Sequence, residues 1–123
     1  MKKNEIDDFE TLQGQFDSFY QEMSALAKKN PNDALNKFKL GLVNSVLKRA
    51  NTFLGKSRLP FADFECFDDA TMPSTSDVLL IVSQYLSAFE KLRSENIFYS
   101  YDDHKWHWTG NETLTGPPKK IEE

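Results

Sequence analysis

One cysteine, five scattered glycines and no long apolar run set the first limits on this chain. Cys66 has no partner for an intramolecular disulfide, so a reducing compartment is the expected setting. The longest apolar run, 78–82, covers five residues, against about 20 needed for a helix to cross a bilayer. The start, Met1-Lys2-Lys3, imitates the basic lead of a signal peptide but passes into Glu5, Asp7, Asp8 and Glu10 with no apolar stretch. These absences lead to the expectation of a cytoplasmic protein with no membrane partner. Asn111-Glu112-Thr113 matches a glycosylation sequon, which without a secretory signal reads as chance.

Catalytic signatures are missing too. Gly14, Gly41 and Gly55 stand alone and build no phosphate-cradling loop. Cys66 has neither a basic cluster nor a neighbouring His to make it a nucleophile. Paired carboxylates occur, but acidic pairs in loops say little about hydrolysis. No enzyme, no cofactor and no resident metal are expected. Basic excess is absent as well: 15 Lys and Arg face 19 Asp and Glu, for a net charge of −4. A duplex-DNA binder carries a basic patch. The deficit is also too small for a protein that imitates DNA by density of carboxylates. A mild acid excess favours protein partners with basic surfaces.

What the chain has is aromatic bulk and helical periodicity. Ten Phe, four Tyr and two Trp supply core material for one domain of 123 residues. Over 5–29, Phe9, Leu12, Phe16, Phe19, Met23 and Leu26 recur at gaps of three and four, which predicts an amphipathic helix ended by Asn30-Pro31. A second helix is expected over 32–54, with Gly55 as its stop. Its seam reads as Leu35, Phe38, Leu42, Val46, Ala50 and Phe53, widened by Leu40, Val43, Leu47 and Leu54. So wide an apolar arc predicts the central helix. A third helix is expected over 76–95, capped from Ser74 to Asp77, with Val78, Ile81, Val82, Tyr85, Phe89 and Leu92 inward. Residues 56–75 connect the last two, and Pro60 could open a short helix carrying Phe61, Phe64 and Phe67. The runs 97–101 and 105–109 around Asp102-Asp103-His104 predict a β-hairpin. The expected fold is therefore mainly α. It has three helices, or four with a short one near 60–67, then a hairpin closing one domain over 1–109. Residues 110–123 read as a flexible tail.

Three constellations could carry function. The segment Asp63-Phe64-Glu65-Cys66-Phe67-Asp68-Asp69 reads either as an acidic aromatic docking loop or as inward Phe residues with solvated carboxylates. A cation site from Asp68, Asp69 and Asp77 lacks the glycine and the ligand spacing of a calcium loop. Asp102, Asp103, His104 and His107 offer metal-ligand types, but a turn and a strand place them poorly. The aromatic group Phe98, Tyr99, Tyr101, Trp106 and Trp108 could stack on bases, cover the helices or bind a protein. Alternation puts Trp106 and Trp108 on one face and His107 on the other.

Three helices and a hairpin invite comparison with a winged-helix DNA binder. The twenty residues of 56–75 break the short turn that motif needs, and helix three has no basic face. The leading expectation is a small protein-binding module: an inhibitor, immunity factor, adaptor or accessory subunit. Its contact residues would be Asp63, Phe64, Glu65, Asp68, Asp69, Tyr99, Tyr101, Trp106 and Trp108. The alternatives are a single-stranded nucleic-acid accessory using the hairpin, and a self-associating helical module. The acid excess argues against nucleic acid, and surplus apolar surface on helix two or three leaves a homodimer open.

Overall fold

The computed structural model describes residues 1–110 and 113–119. Three helices run in order: α1 (Lys3–Lys29), α2 (Lys37–Leu54) and α3 (Thr75–Ser94). Three short strands follow: β1 (Ile97–Ser100), β2 (Lys105–Trp108) and β3 (Leu114–Thr115), paired antiparallel in the order β1-β2-β3. The mainly α expectation with a closing hairpin matches this architecture.

The helix ends follow from their capping chemistry. The Lys2 backbone N–H donates to Glu5, whose carboxylate also suits the positive end of the helix dipole. Asn30 and Pro31 stop α1 after Lys28 and Lys29. The second helix starts five residues later than expected, because Asn36 is its cap: the Asn36 side chain accepts from Lys39 N at 2.8 Å. Residues 31–36 instead turn and run beside the start of α3. Leu35 N donates to Pro73 O at 3.0 Å, Thr75 N donates to Asp33 O at 2.9 Å, and the buried Thr75 hydroxyl donates to Asn30 O at 2.8 Å. Ser74 and Asp77 cap α3 reciprocally: Asp77 N donates to the Ser74 hydroxyl, and Ser74 N to the Asp77 carboxylate.

The core is aromatic at its centre. Phe9, Phe16, Tyr85, Phe89 and Trp108 are fully buried and meet at ring-centroid distances of 5.2–5.7 Å. Leu40, Val43, Val46, Leu47, Ala50 and Leu54 bring α2 onto this cluster. The central helix is not α2, as its wide arc suggested. It is α1, which packs closely along α3 and less closely along α2. The wide arc has a different cause: Phe38 is 76% exposed and Leu42 48%, so one flank of α2 is apolar and uncovered.

The connection between α2 and α3 contains no helix at 60–67. Two short 3-10 turns, Lys56–Arg58 and Asp69–Thr71, flank an irregular segment. Side chains from α2 supply its hydrogen bonds in place of a helical ladder. β3 falls within the stretch read as tail and widens the hairpin to three strands. The end of that tail, 120–123, and residues 111 and 112 of the sequon lie outside the described residues.

Candidate functional site

The acidic aromatic segment is fastened to the helices through its backbone. Asn44 on α2 makes a reciprocal pair with Phe67: its Nδ2 donates to Phe67 O and its Oδ1 accepts from Phe67 N, both at 2.9 Å. Seven residues on, Asn51 Nδ2 donates to Glu65 O at 2.8 Å, and Asn51 Oδ1 accepts from the Tyr85 hydroxyl. Burial pushes the Tyr85 phenol up to about 12. Phe64 and Phe67 meet edge to face and pack on the core together with Cys66. The carboxylates of Asp63, Glu65, Asp68 and Asp69 point to solvent, and Asp68 also accepts from Ala70 N. The segment therefore offers a partner its acids and the half-covered Phe61 rather than Phe64.

The hairpin divides its rings between core and solvent. Register pairs Ile97 with Trp108 and Tyr99 with Trp106, so these four share one face, while Phe98 and His107 share the other. Trp108 lies at the base of the hairpin, buried edge-on against Phe9, and has no surface left for a partner. Trp106, two pairs nearer the turn, is only half buried. Tyr99 meets Trp106 edge to face at 5.6 Å and Tyr101 at 5.0 Å, and Tyr101 is 81% exposed. On the opposite face, Phe98 stacks on His107 at 5.7 Å.

The turn is built by hydrogen bonds. His104 sits at a φ of 58° and donates its backbone N–H to Ser100 O at 2.8 Å. Asp103 accepts from Lys105 N at 3.1 Å and lies 2.6 Å from His107 Nε2. Desolvation pushes the Asp103 carboxyl up, but its bonds to His107, Lys105 and Ser100 outweigh this and hold it below its ordinary range. Among the described residues, no three His, Cys, Asp or Glu side chains gather as a metal site.

A third cluster was invisible from the sequence. Glu90 and Arg93 on α3 are buried and face each other twice, with Nε–Oε1 at 2.8 Å and a terminal nitrogen–Oε2 at 2.9 Å. Arg93 also donates to the Thr115 hydroxyl and to the carbonyls of Gly116 and Pro117, and Lys119 N donates to Glu90. Burial alone would raise the Glu90 carboxyl, but the Arg93 guanidinium and the Lys119 N–H hold it below the usual range. A Glu and an Arg three residues apart on a helix read as an ordinary surface pair. Nothing local to that spacing announces a chain segment more than 20 residues downstream. No protein-family model, curated protein or solved structure matches this chain.

Proposed function

We propose that this protein acts by binding another protein, without catalysis of its own, and that the tip of the hairpin is its anchor. The carrying observation is the ring group Tyr99, Tyr101 and Trp106, which leaves Tyr101 81% exposed on a turn held by hydrogen bonds. Tyr and Trp offer large contact area at small entropic cost, and rings presented on an ordered turn need little rearrangement to bind. Phe98, 45% exposed, extends the apolar surface to the other face of the strands. Asp102 and Asp103 flank the rings and favour a partner with basic groups at the contact rim. Phosphate approaching the same rings would meet these two carboxylates beside the lone Lys105, which supports a protein partner over a single-stranded nucleic acid. The solvated Asp63, Glu65, Asp68 and Asp69 add a second acidic patch that steers a basic partner.

The test is capture of a partner from the native host with three proteins: wild type, Phe98→Ser/Tyr101→Ser, and the four loop acids changed to Asn or Gln. The expected result is a partner held by wild type, lost on removing the rings, and captured more slowly by the loop variant. Retention of every partner by the ring variant overturns the hairpin assignment. Binding of a single-stranded oligonucleotide at low salt overturns the protein-binding reading itself.

A further inference from the structure

The outer face of α1 and α2 carries apolar surface and charge that the single chain uses only in part. The two helices are antiparallel, with Glu22 meeting Lys39 at 2.9 Å and Gln15 meeting Arg49 at 3.3 Å. Between them runs an open groove made of two adjoining hollows of about 470 and 500 Å³, which share Thr11 and Arg49. Small residues stand along it: Gly14 and Ser18 from α1, and Ser45 from α2. Leu42 lines it from the α2 side, and Phe38, the most exposed apolar side chain on the helices, stands one turn before Leu42 on the same helix.

The charges that line the groove are sorted by helix. Within α2 there are Lys37, Lys39, Lys48 and Arg49 and no acidic residue. Asp8 and Glu10 of α1 line the same hollows as Lys48 and Arg49. Yet none of these four forms an ion pair among the described residues. At this level acids stand on one wall and bases on the other.

We propose that this face is where two copies of the chain meet. A two-fold axis lying along the groove sets α1 of one copy over α2 of the other at the same level. Asp8 and Glu10 then face Lys48 and Arg49 of the second copy, twice by symmetry. Leu42 and Phe38 pack across the small side chains at Gly14 and Ser18, and the four helices form a layered bundle. The face is self-complementary in charge, which an apolar patch of arbitrary partner would not require. Its size is of the right order. An α2 of 18 residues runs about 27 Å. A strip two helices wide along that length approaches the roughly 800 Å² per partner of a standard interface. That is about a tenth of the chain's 7883 Å² of accessible surface. This surface is separate from the hairpin tip, so the inference goes beyond the proposed function and can fail without it.

Sedimentation equilibrium tests it with charge-swapped chains. One carries Asp8→Lys/Glu10→Lys, the other Lys48→Glu/Arg49→Glu; all four positions are exposed, and circular dichroism checks that each variant folds. Wild type should reach twice its 14.2 kDa at high concentration. Each variant alone sets like charges against each other and should self-associate at least about tenfold more weakly. An equal mixture restores opposite charges on both sides and should recover the dimer. A wild type that stays at single-chain mass near about 1 mM overturns the proposal. So does a dimer that both variants keep, because another face would then be holding it. A mixture that remains monomeric overturns the charge pairing and, with it, the assignment of a second copy.

Discussion

Arg93 spends all five of its N–H groups inside the fold: two bonds on Glu90, one on the Thr115 hydroxyl and two on the carbonyls of Gly116 and Pro117. Its value lies less in attraction than in what its removal leaves behind. Arg93→Met would strand the buried Glu90 carboxylate and release the carbonyls of Gly116 and Pro117, an expected cost of about 3–5 kcal/mol in urea unfolding. Arg93→Met/Glu90→Met removes the stranded charge as well and should recover about 1–3 kcal/mol of that loss. A double variant no more stable than the single would show that the carbonyl contacts, not the stranded charge, carry the penalty. Asn44 and Asn51 illustrate the same logic with neutral groups. Both are poor helix formers in a helix interior, and their spacing of seven puts them on one flank of α2. There Asn44 satisfies both backbone polar groups of the half-buried Phe67, and Asn51 bonds the Glu65 carbonyl. Two helix-interior Asn on one flank were a legible sign that this loop is tied down.

Among the elements, α1 and α3 were legible because their apolar residues recur on a single face. Five of the six residues assigned to the inward seam of α3 are buried, Ile81 being the half-covered one. On α2 the same rule fitted two faces. The seam through Phe38 and Leu42 obeys the three-and-four spacing as well as the one through Leu40, Val43, Leu47 and Ala50, and only packing on α1 and α3 decides between them. The choice is measurable in dilute solution, where self-association is absent. Leu47→Ala, at a fully buried site, should cost about 2–5 kcal/mol. Phe38→Ser, at a site 76% exposed, should change stability by no more than about 0.5 kcal/mol. Equal costs would place Phe38 on the core side. The hairpin was legible from its aromatic runs and polar turn, and so was the division of Trp106 and His107 between its faces. How deep each Trp sits was not, because period two tells face but not distance from the helices. β3 escaped notice for a simpler reason: two residues, Leu114 and Thr115, are too few to show a period.

At the scale of the whole molecule, two buried groups bound the pH range over which this fold holds. Glu90 has a folded pKa below its ordinary 4.5, so the fold favours its charged form. The stability it contributes is fully present above 4.5 and is lost as pH falls through the folded value. Tyr85 is the reverse case. Its pKa rises from 10.0 to about 12, so the fold favours the neutral phenol. That contribution is fully present below 10 and is lost as pH climbs toward 12. A stability plateau is therefore expected between about pH 5 and pH 10, with a shoulder on each side. The two shoulders should also differ in kind. Protonating Glu90 releases both Arg93 and Lys119 N, the groups that hold residues 115–119 against α3. Trp108 lines the same hollow as Arg93 and Thr115, and its backbone N–H donates to Thr113 O, so its fluorescence should report the acid shoulder first. Ionising Tyr85 strains its bond to Asn51, which ties α2 to the loop, and leaves the C-terminal segment in place. Thermal midpoints across pH, read by tryptophan fluorescence and by circular dichroism, separate the two. Glu90→Gln should flatten the acid limb alone, and Tyr85→Phe the alkaline limb alone. If both limbs keep their wild-type slopes in these variants, the buried pair and the buried phenol do not set the range, and the surface carboxylates and amines set it instead.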